Sequence, residues 1–326
     1  MKATTLKTAA ILAGSLSFLA GSAFSQSAVS DPGGYRTQKI GDGFNLVGVN
    51  LHNPVIISGS IDTETGADVG DSAVDYTAIL NDPAATYIFE VLDGDQIGAI
   101  AEITAVANGS VTVDGAGIGA GIGAAYSIRQ APTLIDTFGD LNPGFSATTA
   151  DVVYIPTGIG GQYDQFFQHT TGVFRAQGSI SNPPKPVSFL YSDGLLIERK
   201  DGPLDLIITG MVKKVGTIVN IPNGFGAVAV SAPVGSTLQD CGIAASLKTG
   251  FSATTADVVY VPTLTAGGDA NPGVYDQYFV HTTGNFRAQG AIADADPVPI
   301  DNGLLIERKD PDTAGLIDVP AFFANL

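Results

Sequence analysis

The chain has 326 residues and a formal net charge of −17, and 44% of its residues are hydrophobic. The acidic charge argues against nucleic acid or an anionic membrane as a partner, since both need a cationic surface. The apolar fraction excludes a disordered chain, and the abundance of Gly, Ala, Thr and Val favours a β-rich exported protein.

The first predicted element is an export signal over residues 1–25. Lys2 and Lys7 form a positive segment, an apolar stretch follows over residues 9–20, and Ala23-Phe24-Ser25 matches the small-x-small pattern of signal peptidase sites. The apolar stretch is short for a membrane span. We therefore expect an exported protein, extracellular, at the cell surface or periplasmic, with no membrane-spanning segment after cleavage.

An internal repeat organises the remaining chain. FSATTADVVYIPT from Phe145 recurs as FSATTADVVYVPT from Phe251, and YDQFFQHTTGVFRAQG from Tyr163 recurs as YDQYFVHTTGNFRAQG from Tyr275. GLLIERKD also occurs twice, and IGDGFNLVGV matches IPNGFGAVAV. Such self-similarity indicates a fold built from repeated units. We predict a first β unit over residues 26–55 and 133–210, an inserted β subdomain over 56–132, and a second β unit over 211–326 that ends in an apolar tail.

The local pattern predicts strands and turns throughout. β-branched and aromatic runs alternate with Gly, Pro, Asn and Asp, and no helical period is visible. His-Thr-Thr-Gly is predicted to close a hairpin in both units, with positive φ at Gly172 and Gly284, and Asn108-Gly109 is predicted to close another in the insert. The predicted fold is all-β: two homologous, sandwich-like units, with a small subdomain of about four strands inserted in the first.

The glycine-rich segment GAGIGAGIGAA, residues 115–125, contains a loose G-x-G-x-x-A pattern. A dinucleotide-binding loop needs a helix directly after it to hold phosphate, and none is predicted here. We expect a flexible hairpin arm or a closely packed strand instead.

A series of motifs resembles a known family. In chain order these are GFNLVGV, SIRQAPTL, TADVVYIP, YDQFFQH, GLLIERK and LIITG. Together they are similar to a family of exported, paralogous proteins of uncharacterised function found mainly in Verrucomicrobia-type bacteria. The resemblance implies an exported bacterial β protein, and it brings no known activity, cofactor or catalytic residue.

The predicted hairpins supply a candidate ligand site in each unit. Strand alternation places Tyr163 and His169 on one face, with Arg175 on the return strand. The equivalent residues of the second unit are Tyr275, His281 and Arg287. These side chains could surround a small polar ligand such as a sugar or a carboxylate. The alternative is structural, with Tyr in the core and with His and Arg satisfying turn carbonyls or pairing with Asp.

Four carboxylates around a glycine turn form a candidate Ca²⁺ site: Asp62, Glu64, Asp68 and Asp71. Calcium takes six to eight oxygen ligands from flexible loops, and alternating carboxylates can supply several of them. The alternative is a solvated acidic loop. No zinc motif is present, and no other cofactor is expected.

Two further features are predicted to be structural. Cys241, the single cysteine, is expected to be a small buried side chain, the alternative being an intermolecular disulfide. Arg199 and Arg308, in the two GLLIERK motifs, are expected to pair with carboxylates on neighbouring strands.

The sequence favours a protein that is not an enzyme. It has no G-x-S-x-G elbow, although a glycosidase carboxylate pair would leave no sequence pattern. We expect a structural or self-assembling component of the bacterial cell exterior, in a surface layer, fibre or matrix, with copies of itself or other envelope proteins as partners. Assembly is assigned to Phe322, Phe323 and Leu326 in the tail, which could pair with an exposed sheet edge. The alternatives are a glycan- or small-ligand-binding envelope module and, third, a secreted hydrolase.

Overall fold

The computed structural model describes residues 33–230, 236–264, 270–300 and 303–318. Within these ranges the chain is nearly all β, which confirms the predicted fold class. The two α-helices described are short: α1 spans Tyr76–Ile79 and α2 spans Leu134–Phe138. The described residues belong to one compact unit rather than to separate domains. The predicted export signal and the end of the apolar tail lie outside the described ranges.

The strands are numbered in chain order. Before and within the predicted insert they are β1 Gly33–Ile40, β2 Gly43–Gly48, β3 Leu51–His52, β4 Val55–Ser60, β5 Thr63–Thr65, β6 Asp68–Gly70, β7 Tyr87–Val91, β8 Ile100–Ala107, β9 Ser110–Val113 and β10 Ala125–Gln130. The next five are β11 Val152–Pro156, β12 Tyr163–Gln168, β13 Phe174–Ala176, β14 Gly194–Arg199 and β15 Leu204–Val212. The last seven are β16 Thr217–Ile221, β17 Gly224–Ala229, β18 Val258–Leu264, β19 Ala270–Val280, β20 Phe286–Ala288, β21 Gly303–Arg308 and β22 Thr313–Ile317.

Two five-stranded antiparallel sheets have the same strand order. The first runs β13-β12-β11-β14-β2, and the second runs β20-β19-β18-β21-β17. Their registers also agree, because Val152 lies opposite Phe167 in the first sheet and Val258 lies opposite Phe279 in the second. Segments of matching sequence therefore occupy matching positions in the two sheets.

Each five-stranded sheet shares a core with a smaller sheet. The three-stranded sheet β1-β15-β3 contributes Ile40 to a core that also holds Ile197 of β14. The pair β16-β22 contributes Val219 to a core that also holds Ile306 of β21. Alternation along each strand points one set of apolar side chains into these cores. The layers form the sandwich-like arrangement that the pattern predicts.

The inserted segment forms a seven-stranded sheet in the order β4-β10-β7-β8-β9-β6-β5. The prediction of about four strands was too low, because β5 and β6 have only three residues each and contain no apolar run. The predicted Asn-Gly hairpin joins β8 to β9, with Gly109 at φ 81°. The glycine-rich stretch that follows contains neither helix nor strand up to Ala124, and β10 begins at Ala125, so its strand alternative was wrong.

Three other local predictions can be compared with the fold. The His-Thr-Thr-Gly hairpins are confirmed, with φ of 81° at Gly172 and 87° at Gly284. Cys241 is free and buried, and its thiol contacts the Leu238 carbonyl oxygen at 3.3 Å. The proposed unit boundary at residue 210 falls inside β15, where Met211 is paired on both sides.

Candidate functional site

The two predicted ligand-site histidines serve their own turns. Nδ1 of His169 accepts a hydrogen bond from the Thr171 backbone N–H at 3.2 Å and lies 2.9 Å from the Thr171 hydroxyl. His281 makes the same pair of contacts to Thr283, at 3.3 and 3.1 Å. Each imidazole therefore binds its own hairpin turn, through a backbone N–H and a hydroxyl rather than through the turn carbonyl that the structural alternative assumed.

The two predicted ligand-site arginines bind the loops that follow them. Arg175 donates from Nε to Oδ1 of Asn182 at 2.8 Å. Arg287 forms an ion pair from Nε to Oδ1 of Asp294, also at 2.8 Å. Both guanidinium groups thus hold a loop against an edge strand.

The predicted ligand set is divided between two places. Tyr163 begins β12, whereas His169 follows its end, six positions later, and a strand rises about 3.3 Å per residue. The two side chains share a face but lie roughly 20 Å apart. Burial raises the pKa of Tyr163 and of Tyr275, and the neighbouring Tyr275 hydroxyl raises that of Tyr163 further. The two tyrosines therefore lie near each other and away from their histidines.

The four predicted calcium ligands bind separate protein groups. Asp62 accepts from the Ser72 backbone, Asp68 from the Thr112 hydroxyl and Asp71 from the Ala73 backbone. Glu64 accepts from two backbone N–H groups of the glycine-rich segment, at 3.1 and 2.8 Å. No group of three or more His, Cys, Asp or Glu side chains suited to a metal occurs among the described residues. The structure therefore does not gather three or more of these carboxylates at one point.

The TADVV and GLLIERK motifs meet in a buried ion pair in each sheet. Arg199 binds Asp151, whose carboxylate also accepts from the Lys200 backbone at 2.8 Å. Arg308 binds Asp257 at 2.8 Å, and both aspartates are fully buried. The predicted pairing of the two arginines is confirmed, and these motifs are structural.

A second matching pair of features lies on the outer faces of the sheets. The Phe44 and Tyr154 rings have centroids 5.7 Å apart, and the Tyr154 hydroxyl donates to Glu198 at 2.9 Å. In the second sheet the Phe225 and Tyr260 centroids are 5.8 Å apart, and the Tyr260 hydroxyl donates to Glu307 at 2.8 Å. Phe44 and Phe225 are 44% and 42% exposed. The two aromatic pairs therefore have nearly the same geometry and the same exposure.

The two sheets also expose the same apolar side chains. Phe145 packs edge-on against His169 with centroids 5.9 Å apart, and Phe251 packs likewise against His281 at 5.7 Å. Both phenylalanines nevertheless remain about 80% exposed. Ile180 and Ile292, which follow the edge strands β13 and β20, are about 90% exposed. Both repeats therefore expose the same two apolar side chains, one beside the histidine of the hairpin and one just after the edge strand.

A cleft of about 860 Å³ lies where the insert meets both sandwiches. Among the described residues its polar lining comes from Asp114 of the insert, from Gln162, Tyr163, Ser192 and Asp193 after β11 and before β14, and from Asn220 of β16. Phe225 and several isoleucines supply apolar surface. No Lys, Arg or His is found among the described lining residues.

Asp193 is the most perturbed carboxyl of the cleft. Desolvation raises its pKa to about 7, although the Leu190 backbone N–H, 3.0 Å from Oδ2, acts in the opposite direction. Sequence reasoning missed this residue. The available signal was the difference between the two repeats directly before GLLIERK, where Asp193 stands in the first and Asn302 in the second.

A buried charged cluster joins the insert to β15. Glu90 forms ion pairs with Lys213 Nζ at 2.8 Å and Arg129 Nε at 3.2 Å. His52 lies beside this cluster at 1% exposure, and neither of its ring nitrogens has a hydrogen bond within the described chain. None of these four residues is among the described residues that line the cleft.

The chain gives no match to protein-family models, to curated proteins or to solved structures. The resemblance to an exported family of Verrucomicrobia-type bacteria therefore stays a prediction. In the part of the chain that the structure describes, no helix is both long and apolar enough to cross a membrane. The predicted assembly residues Phe322, Phe323 and Leu326 lie outside the described ranges.

Proposed function

We propose that the chain is an exported, non-catalytic protein of the bacterial cell exterior that associates with copies of itself through the outer edges of its two five-stranded sheets. One observation carries the proposal, namely that the same two apolar side chains are exposed in both repeats, and that one of them directly follows the edge strand of each sheet. Phe145 and Phe251 are 79% and 80% exposed, and Ile180 and Ile292 are 91% and 90% exposed.

The exposed pairs supply a driving force for association. Scattered apolar residues are common on protein surfaces. Here, however, both sequence copies keep the same two residues at nearly the same exposure. Fully burying one such side chain contributes about 1.5–3 kcal/mol, so a contact that covers Ile180 or Phe145 is favourable without backbone pairing. The short edge strands β13 and β20 each pair on one side only in the described sheets. Loop residues already bind these edges, since the Phe286 and Ala288 carbonyl oxygens accept hydrogen bonds from the Ala295 and Ala291 backbone N–H groups. The proposed contact therefore rests on the exposed apolar side chains rather than on an added strand.

Two equivalent edges on one chain favour an extended assembly. A contact between the β13 edge of one copy and the β20 edge of the next is heterologous, so it continues from copy to copy until the rotation closes a ring. This geometry fits a fibre or surface layer. The net charge of −17 opposes association, and salt screens that repulsion over about 10 Å at 0.1 M. Assembly should therefore increase with ionic strength.

The test compares masses in solution. Size-exclusion light scattering of the exported form should show oligomers that the double variant Ile180→Ser/Ile292→Ser reduces to monomer. Ile122→Ser is the control, because Ile122 is 66% exposed but lies in the glycine-rich segment of the insert, which belongs to neither five-stranded sheet. Oligomers that survive in the double variant, or that are lost equally in the control, would contradict the proposal.

A further inference from the structure

We propose that the cleft between the insert and the two sandwiches binds an uncharged carbohydrate. This inference does not depend on self-association, since the cleft lining is separate from the exposed pairs at the sheet edges. Its volume of about 860 Å³ lies within the range of about 300–1,000 Å³ that small-molecule sites occupy.

The charges of the cleft exclude an anionic ligand. Asp114 and Asp193 line it, and the described lining contains no cationic side chain. Phosphates, sulfates and carboxylates are bound in proteins by Arg, Lys or clustered backbone N–H groups. A ligand with many hydroxyl groups and no charge needs none of these, and it can donate hydrogen bonds to carboxylate oxygens.

The polar groups are available for a ligand. The exposed Asp114 carboxylate and the exposed Gln162 amide make no side-chain hydrogen bond within the described part of the chain. Asp193 has one oxygen engaged by the Leu190 backbone, while its other oxygen has only a 3.5 Å contact to the Ser192 hydroxyl. Because burial raises the Asp193 pKa to about 7, this carboxyl can either donate or accept near neutral pH.

Phe225 supplies the apolar surface that a sugar ring requires. Its side chain lines the cleft, remains 42% exposed and is supported by the tilted ring of Tyr260. Sugars present C–H faces that pack on aromatic rings, while their hydroxyl groups reach polar neighbours. Tyr163 adds a second aromatic side chain to the lining. The mixture of two aromatic rings with carboxyl and amide groups matches this amphipathic ligand class.

The chain contains a matched control for the aromatic contact. Phe44 has the same exposure as Phe225 within two per cent and the same 52° tilt to its tyrosine neighbour. It is not among the described lining residues. Any loss of binding that arises only from removing an exposed aromatic ring should therefore appear in both Phe225→Ala and Phe44→Ala.

Calorimetric titration of the exported form tests the proposal with maltotriose, cellotriose, laminaritriose and chitotriose as neutral probes, the chitosan trimer as a cationic probe and sialyllactose as an anionic one. At least one neutral probe should bind. Phe225→Ala and Asp114→Asn should each weaken that binding about tenfold or more, whereas Phe44→Ala should leave it within about twofold. Asp114→Asn keeps the shape of an exposed side chain, so it tests the site without disturbing the fold.

Three results would overturn the inference. One is the absence of binding by every neutral probe. Another is binding of the chitosan trimer alone, which would make the cleft an amine site. The third is an equal loss in Phe225→Ala and Phe44→Ala, which would place the ligand elsewhere.

Discussion

The substitution His52→Phe should remove a loss of stability that the wild-type protein suffers as pH falls. His52 is fully buried and its ring stacks on Tyr191 with centroids 3.8 Å apart. Burial is the largest cause that lowers its pKa, to about 3, and cationic Lys213 and Arg129 lower it further. The Glu90 carboxylate acts in the opposite direction but does not compensate. A phenyl ring keeps the stacked shape and cannot take a proton.

The size of this loss in stability follows from the protonation of His52 in the unfolded and in the folded protein. In the unfolded chain His52 takes a proton below its ordinary pKa of 6.5, whereas in the folded protein it stays neutral down to about pH 3. The unfolded state therefore binds more protons in this window, and the free energy of unfolding falls as pH falls, by about 1.4 kcal/mol per pH unit. Between pH 6.5 and pH 5 the loss is about 2 kcal/mol. Glu90, whose pKa is lowered from 4.5 to about 2, loses its contribution only below pH 4.5.

Urea unfolding followed by far-UV circular dichroism measures this effect, since the chain has no Trp for fluorescence. From pH 7 to pH 5 the stability of His52→Phe relative to wild type should rise by about 2 kcal/mol. Asp193 provides the opposite control. Its pKa is raised from 3.8 to about 7, so the folded state binds the extra proton, and Asp193→Asn should lose relative stability over the same range. An identical pH dependence in wild type and His52→Phe would refute the reasoning.

Three further outcomes can be measured by urea or thermal unfolding followed by circular dichroism. Asp151→Ala and Asp257→Ala should each lower the free energy of unfolding by about 3–5 kcal/mol, because each leaves a largely buried arginine without its carboxylate. A decrease below about 1 kcal/mol would show that these ion pairs are dispensable. Gly194→Ala should lower the free energy of unfolding more than Gly303→Ala. A Cβ at residue 194 would lie 2.6 Å from the Val228 backbone nitrogen, whereas the nearest neighbour of a Cβ at residue 303 is a leucine side-chain atom at 3.0 Å. Equal decreases in the two variants would be inconsistent with this packing. EDTA should leave the midpoint of thermal unfolding unchanged because the carboxylates of the β5–β6 hairpin bind protein groups, and a clear decrease would restore the calcium hypothesis.

Much of the fold could be predicted because its signals are local. Runs such as DVVY and LLIER, bounded by Gly, Pro and Asp, predicted strands that the structure contains. The turn glycines Gly109, Gly172 and Gly284 predicted hairpins through their need for positive φ. The shortest strands of the insert, β5 and β6, escaped detection, since three residues are too few to show a period. Among the described strands β5 pairs only with β6, and β6 pairs in turn with β9, a partner more than forty positions later in the chain.

The candidate site could not be predicted in the same way. Strand alternation correctly places Tyr163 and His169 on one face, but a shared face does not bring residues at opposite ends of a strand together. The cleft residues Asp114, Asp193 and Phe225 come from three segments whose contact depends on tertiary packing. Only the difference between the repeats at Asp193 pointed towards the cleft, and a single sequence gives such a difference little weight.

The most direct test of the proposed function is the mass of the exported form, residues 26–326, measured by light scattering over a range of protein and salt concentrations. We expect oligomers that grow with protein concentration and with added salt, and negative-stain images that show filaments or sheets. A monomer at every concentration and salt level would contradict self-association and leave ligand binding in the cleft as the function to pursue.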